Sequence, residues 1–372
     1  MPDSPMLDKP ITADAHERFS GTRPLAAHNA IDLTRLAAFM REHVAGFGGV
    51  LSAEQFKGGQ SNPTFRLSAG GRHYVLRRKP PGMLLPSAHA VEREFRVISA
   101  LAESEVPVAR AYALCEDPGV IGSAFYIMDC VEGRVLWDPL LPGMAPPQRG
   151  AIHDELNRVI AALHRIDPAA VGLGDYGRPG KYLERQVARW TQQYRAAQTE
   201  TIAAMERLID WLPQHIPVAD DAAAGSRIVH GDYRLDNVIF HATEPRILAV
   251  LDWELSTLGH PMVDFAYHCM TWRMPSGATR GMHGADLAAL GIPLEADYVQ
   301  TYLRRVGGAC GDVSAADWNY YLAFNMFRLA GILQGITARA RQGNAASAEA
   351  EAAGQRTRPL AEQAWALARS LG

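Results

Sequence analysis

At 372 residues the chain exceeds the length at which one hydrophobic core usually suffices, so two lobes are expected. Its 48% hydrophobic and 21% charged residues are those of an ordinary globular protein, and a net charge of -3 gives no electrostatic reason to expect nucleic acid or an anionic membrane as partner. Cys115, Cys130, Cys269 and Cys310 form no C-x-x-C pair, no apolar run approaches 18 residues, and the first 20 residues lack an apolar core; the expectation is a cytoplasmic protein without a zinc site, signal peptide or membrane anchor.

Residues 1–30 are polar and irregular and read as a flexible N-terminal arm. Asp32 then caps a helix whose Leu33, Leu36, Ala37, Met40 and Val44 follow the 3.6-residue period. A β-rich segment starts near Val50 and contains the stretch Gly58-Gly59-Gln60-Ser61-Asn62, a tight turn at Gly70-Gly71 and a basic strand from His73 to Arg77. A helix follows from about Ser87 to Glu103, with Val91, Phe95, Ile98 and Leu101 on its buried face. The strand Ala124 to Met128 runs on into Asp129-Cys130-Val131-Glu132-Gly133, and the Gly- and Pro-rich piece Pro139 to Pro147 marks the passage to a mainly helical lobe. There Leu156, Val159, Leu163 and Ile166 share one helix face beside His164, which reads as a packed structural residue. Amphipathic helices are expected at 179–197 and 199–212, a loop from Pro213 to Ser226, and a long apolar helix from Trp318 to Arg339 with Asn325 and Arg328 as its odd polar members. From Arg341 to Arg356 the Ala-, Gly- and Gln-rich sequence reads as mobile. The fold class is α+β: a small antiparallel-sheet N-lobe at 31–133 and a helical C-lobe at 134–372.

The stretch Ile228 to Glu254, IVHGDYRLDNVIFHATEPRILAVLDWE, sets Asp232, Asn237 and Asp252 at the edges of short apolar, β-branched strands. A carboxylate at the end of such a strand faces water or a ligand, because an unpaired buried charge costs several kcal/mol or more. Phosphoryl transfer needs an Asp near the attacking hydroxyl, with an Asn and a second Asp to hold Mg²⁺; in kinases the first two stand five residues apart, as Asp232 and Asn237 do. Oxygen ligands suit Mg²⁺, and Asp252 supplies the main carboxylate.

HGDYRLDN followed by LDWE resembles the catalytic and metal loops of the aminoglycoside phosphotransferase family, most of all the branch related to the kinase-like domains fused to acyl-CoA dehydrogenases. The resemblance implies a two-lobed protein-kinase-like fold that uses ATP and Mg²⁺, with His-Gly-Asp and Asp-Trp-Glu where protein kinases carry His-Arg-Asp and Asp-Phe-Gly. Carried onto this chain, it makes Asp232 the base that accepts the hydroxyl proton, and Asn237 and Asp252 the metal ligands. Arg234 becomes a cation for the transferred group, with a salt bridge to Asp236 or Glu254 as the plain alternative. Gly58, Gly59, Gln60, Ser61 and Asn62 become the phosphate-covering loop. Arg77 stands in the place of the kinase phosphate-binding Lys, with Arg78 and Lys79 as alternatives, and pairs with Glu94 or its rival Glu92. Met128, Asp129 and Val131 form the adenine-holding hinge, His230 braces the loop, and Asp264 bonds to nearby backbone.

The expected acceptor is a small-molecule hydroxyl compound. Residues 141–227 and 255–342 together hold 17 Lys plus Arg against 16 Asp plus Glu, so the lobe lacks the surplus of carboxylates that a polycationic aminoglycoside calls for. Lys181, Arg185 and Arg189 recur at i, i+4 and i+8; with Arg328 they are candidate contacts for an anionic acceptor such as a hydroxyacyl-CoA, against the plainer reading of a solvated face. Two other classes stay open: a nucleotide-binding module that has lost its chemistry, and a metal hydrolase built from His230, Asp232, Asp252, His260, Asp264 and His268.

Overall fold

The computed structural model describes residues 21–26, 29–57, 62–80, 89–218, 225–276, 281–311, 313–341 and 347–370, with side chains from 354 onward in the last segment. In the N-lobe, β1 (Thr22–Arg23) is followed by α1 (Leu33–His43), β2 (Ser52–Phe56), β3 (Thr64–Ala69), β4 (Arg72–Arg78), α2 (Val91–Leu101), β5 (Ala111–Cys115), the short α3 (Pro118–Ile121) and β6 (Phe125–Asp129). The six strands form one antiparallel sheet in the order β1-β2-β3-β4-β6-β5. Asp32 caps α1 as its sequence predicts, accepting from the Thr34 and Arg35 amides at 3.0 Å each. Gly58, Gly59, Gln60 and Ser61, expected to form the phosphate-covering loop, lie outside the described residues.

Strand periodicity decides what each face of this sheet does. In β4, Tyr74 and Leu76 join the core under α1 with Phe65, Leu67 and Ile127, and Arg78 turns the same way. Val75 faces the opposite side with Tyr126 and Met128, and Arg77 reaches the cleft there. That second side is continuous with the core of the helical lobe, so the two lobes share one apolar interior. Helix α2 is tied across the boundary: Arg93 donates to the Tyr176 carbonyl at 2.7 Å, and Arg96 to the Gly172 carbonyl at 2.8 Å.

The helical lobe runs through α4 (Pro146–Arg165), α5 (Tyr182–Ala196), α6 (Ala203–Trp211), β7 (Arg227–Val229), β8 (Val238–Phe240), β9 (Ile247–Val250), β10 (Thr257–Gly259), α7 (Pro261–Arg273), α8 (Leu287–Leu290), α9 (Glu295–Val306), α10 (Ala315–Arg341) and α11 (Ser347–Arg369). Strands β7 and β10 pair, as do β8 and β9. Of the stretch from Arg341 to Arg356 read as mobile, residues 342–346 lie outside the described residues and 347–356 belong to α11, whose later residues Leu360, Ala361, Ala364 and Ala368 are buried. Its Ala-rich composition has high helix propensity, and the partner face on α10 supplies the burial that the composition did not advertise. No described helix is long and apolar enough to cross a membrane.

Candidate active site

The loop between β7 and β8 carries Asp232, and its shape follows from Gly231. This residue has φ +83°, and a Cβ there would lie 2.8 Å from the Leu255 carbonyl oxygen, so a side chain is excluded on both counts. The loop is anchored beneath by buried Asp264 in the first turn of α7, whose two oxygens accept from the His230 and Gly231 amides at 2.6 and 2.8 Å. His164 lies 3.2 Å from the same carboxylate. Burial alone would raise the Asp264 pKa, but the hydrogen bonds from His164 and the loop amide outweigh it and hold the carboxyl low. His230 Nδ1 accepts from the Asp232 amide at 3.2 Å, which leaves Nε2 as the donor to the Leu251 carbonyl at 2.8 Å. The ring therefore ties the Asp232 loop to the Asp252 loop.

The Asp232 carboxylate is held at both oxygens. Tyr267 donates to Oδ1 at 2.6 Å, and Asn237 Nδ2 donates to Oδ2 at 2.9 Å and to the Asp232 carbonyl at 2.8 Å. Arg234 lies between two acids, with Nε 3.3 Å from Asp232 Oδ1 and Nη2 3.3 Å from Asp236 Oδ2. Asp252 follows β9 in the left-handed region at φ 63°, ψ 58°, a conformation that Asp tolerates better than most side chains.

Arg77 crosses from the sheet to this loop. Its Nε lies 2.9 Å from Glu94 Oε2, and its Nη2 lies 2.7 Å from Asp252 Oδ1 and 3.3 Å from Glu254 Oε2. Glu94, not Glu92, is thus the partner on α2; Glu92 pairs with Lys79 at 2.9 Å. Arg78 bonds to Asn29 Oδ1 at 3.3 Å, away from the cleft. Tyr126 and Asn62 donate to the Glu94 carboxylate at 3.0 and 2.7 Å. Asn62 is wholly buried between Glu94 and His89, so its reading as a phosphate contact is corrected: its amide is spent on orienting Glu94. Burial would lower the Arg77 pKa, but the charges of Glu94 and Asp252 outweigh it and keep the guanidinium protonated. Glu94 is pushed up by burial, with Arg77 opposing.

These groups surround one cleft of about 1580 Å³. Met128, Asp129, Cys130 and Val131 line it at the junction of the lobes, where Gly133 approaches β8 so closely that a Cβ would meet the Phe240 carbonyl oxygen at 2.2 Å. Arg77, Asp232, Arg234, Asn237 and Asp252 line its middle. Its far arm is walled by α7, α10, α11 and the segment after α7, including Met270, Met274, Leu329, Ile332, Ile336 and Leu360, with Thr271, Arg273, His283, Gln355, Arg356 and Gln363 among them; no Asp or Glu is among the described residues that line it, and Arg273 is paired with Glu295. The sequence reading missed Tyr267 and this arm, which join segments up to a hundred residues apart.

Lys181, Arg185 and Arg189 do not line the cleft. Lys181 is 64% exposed and sits 3.3 Å from Glu184, Arg185 donates to the carbonyls of Gly180 and Arg178, and Arg189 lies over the Trp190 ring at 5.8 Å. Their reading as acceptor contacts is corrected by that placement. Arg328 does reach the cleft, but it is 6% exposed, and its Nη2 donates to the Gly231 carbonyl at 2.6 Å. As to a metal, Asn237 turns its amide nitrogen to Asp232, and its Oδ1 has no hydrogen-bond partner among the described residues. An unpartnered amide oxygen and the Asp252 carboxylate on one cleft wall are a donor pair suited to Mg²⁺. The six His and Asp residues considered for a hydrolase do not converge: among the described residues no three His, Cys, Asp or Glu are grouped to hold a metal.

Residues 52–309 match the pattern of the phosphotransferase enzyme family, which includes the aminoglycoside phosphotransferases. Acyl-CoA dehydrogenase family member 10 of Mus musculus is 44% identical over 360 residues, covering 96% of this chain and 33% of that protein. Family member 11 of Rattus norvegicus is 41% identical, covering 91% and 43%. The chain thus spans less than half the length of these curated relatives. A crystal structure from Ralstonia eutropha, provisionally described as an aminoglycoside phosphotransferase, is 59% identical with a TM-score of 0.83 and covers 92% of this chain and 99% of that one. Aminoglycoside phosphotransferase APH(4)-Ia, in ternary complex with AMP-PNP and hygromycin B, shares the fold at 18% identity and a TM-score of 0.55, covering 89% and 98%.

Proposed function

Because the chain belongs to the phosphotransferase enzyme family, we propose that it moves the γ-phosphoryl group of ATP to a hydroxyl of a small molecule, with Asp232 as the base. The observation that carries this is the meeting of Asp232, Asn237, Asp252 and the Arg77–Glu94 pair around one cleft. In this reading Asp232, with its carboxylate at the cleft, takes the hydroxyl proton as the oxygen attacks phosphorus. Arg234, beside it, offsets charge on the transferred group, the main source of catalysis in this chemistry. Asn237 and Asp252 would hold Mg²⁺, which on binding neutralises phosphate charge. Arg77 already bridges Glu94 and Asp252, so it fixes the sheet against the metal loop and presents its charge to the phosphates. Met128, Asp129 and Val131 offer the adenine edge a lining of backbone and apolar side chains.

For the acceptor, the far arm favours an apolar compound over a polycation. Its described lining includes Leu329, Ile332, Ile336 and Leu360 and no Asp or Glu, the reverse of what a polyamine sugar needs. The relatives named acyl-CoA dehydrogenases point the same way, toward a hydroxyl borne on an acyl thioester of coenzyme A. The test is transfer of radiolabel from ATP with Mg²⁺ to kanamycin or to hydroxyacyl-CoA compounds. The acyl compounds are expected to give the higher kcat/KM, and Ile336→Glu to lower it about tenfold, the scale of one misplaced charge against an apolar ligand. Efficient phosphorylation of kanamycin that is indifferent to Ile336→Glu overturns the acceptor, and MgATP binding without any turnover favours a non-catalytic module.

A further inference from the structure

Tyr267 sits on α7 near the middle of the cleft, 6% exposed, with its hydroxyl 2.6 Å from Asp232 Oδ1. Packing alone would be served as well by Phe, so the hydroxyl needs a reason. Burial and then the charge of Asp232 push the phenol's pKa upward, so it stays protonated and donates. The ring is fixed from outside by Arg328, whose guanidinium lies 4.8 Å from its centroid and 5.3 Å from that of Trp190, while Nη2 holds the Gly231 carbonyl at 2.6 Å. One arginine thus sets both the residue before Asp232 and the tyrosine that bonds it.

We propose that Tyr267 is a positioning residue for Asp232: it occupies Oδ1, so that Oδ2 is the oxygen that takes the acceptor's proton. A carboxylate oxygen has two acceptor sites. Among the described residues each oxygen takes one hydrogen bond, Oδ1 from Tyr267 and Oδ2 from Asn237 Nδ2, but Oδ1 also has the Arg234 guanidinium 3.3 Å away, whose positive charge makes it the weaker base and leaves Oδ2 the better proton acceptor. In the transfer, the acceptor O–H bond breaks and its proton passes to Oδ2. The oxygen's electron pair forms the bond to the γ-phosphorus, and the bond from phosphorus to the bridging oxygen breaks onto ADP. A carboxylate free to rotate would spend part of its time with both oxygens misdirected, and misplacement of a reacting group is costly in rate. This rests on the reading of Asp232 as the base.

The test uses the full chain and MgATP hydrolysis, with water standing in for the acceptor hydroxyl. Tyr267→Phe is expected to lower kcat about tenfold, the scale of one hydrogen bond to a charged group, while KM for MgATP and the melting-temperature gain from MgATP stay those of the unsubstituted chain. In an Asp232→Asn background, Tyr267→Phe is expected to change the residual rate less than about twofold, because the group it positions is gone. Unchanged kcat in Tyr267→Phe, or the same tenfold loss in both backgrounds, overturns the proposal and leaves Asp232 as the base. If Asp232→Asn alone turns over as fast as the unsubstituted chain, the base assignment falls, and the positioning role with it.

Discussion

The end of the cleft proposed to hold phosphates and its far arm are built on opposite principles. At the first end the charged side chains are already paired with one another: Arg77 with Glu94 and Asp252, Arg234 with Asp232 and Asp236. In the far arm the described lining is mostly apolar side chains from three helices, interspersed with Gln355, Gln363 and Arg356 and with Arg273, which is paired with Glu295. The first end tolerates little change, since removing one member of a buried ion pair strands the other. The second selects by shape and exclusion of water, so changes there move specificity more than existence of activity.

The largest effect is expected where charge is stranded. Arg77→Met leaves Glu94, at 1% exposure, with no cation, a loss of about 3–5 kcal/mol on the scale of broken buried pairs. Urea denaturation measures it, and a loss under 1 kcal/mol would show that the guanidinium is held no better than a surface group. Glu94→Gln in the same background should recover part of that loss.

Next come the two carboxylates that the proposed chemistry needs. Asp232→Asn keeps the shape but cannot take a proton, so turnover should fall by about 10²-fold or more, with MgATP affinity within a few-fold. Asp252→Ala should abolish most of the stabilisation from MgATP, which for a bound ligand at 100 times its Kd is about 2.7 kcal/mol. Thermal melting with and without MgATP separates the two, because only the second substitution removes the shift.

Acid should weaken the helical lobe more than the sheet. His153 on α4, and His260 and His268 at the start and middle of α7, are buried, and burial holds them neutral, pushing their pKa values down to about 4, about 4 and about 3. The unfolded chain binds protons at these rings below about pH 6.5, while the folded chain refuses them, so stability falls as pH drops from about 6.5 through about 4. Each ring contributes up to about 1.4 kcal/mol per pH unit in that window. His153→Gln, whose amide can keep the bond to the Pro139 carbonyl, should flatten the slope of melting temperature against pH by one ring's share. An unchanged slope would show that His153 takes up its proton in the folded chain.

The same contrast separates what the sequence makes legible from what it hides. The end proposed to hold phosphates comes from compact motifs: Asp232 and Asn237 five residues apart, Asp252 at the end of an apolar strand, Glu94 one turn into its helix. Their spacing survives folding because short strands and one helical turn fix it. Tyr267, Arg328 and the arm walls meet only because α7, α10 and α11 pack together; Tyr267 and the wall residues taken alone read as ordinary core residues, and Arg328, conspicuous as a cation on an apolar helix, gives no sign in the sequence of its partners Gly231 and Tyr267. Composition says little at α11, where the Ala-rich sequence from Ser347 is helical and the burial of Leu360, Ala361, Ala364 and Ala368, beyond the stretch read as mobile, follows from packing on α10. Asn62 misleads: a polar residue beside glycines looks like a phosphate contact, and only the position of Glu94 reveals its use.

The smallest effect is expected from the triple change of Lys181, Arg185 and Arg189 to Gln. On the sequence these cations align along one helix face and invite an anionic acceptor. In the fold, Lys181 occupies a left-handed position at φ 49° just before α5, out of helical register with the other two. Arg185 turns back onto the Gly180 and Arg178 carbonyls, which caps the loop entering α5, and Arg189 lies against Trp190. Exposed cations with such partners contribute at most about 1 kcal/mol each and are screened by salt. The triple variant should therefore keep kcat/KM for a hydroxyacyl-CoA within about twofold, since none of the three reaches the arm that would hold the acyl group. A tenfold loss for the CoA ester, with none for a neutral hydroxyl compound, would return the acceptor's anionic end to the outer face of α5 and leave only its acyl end in the arm.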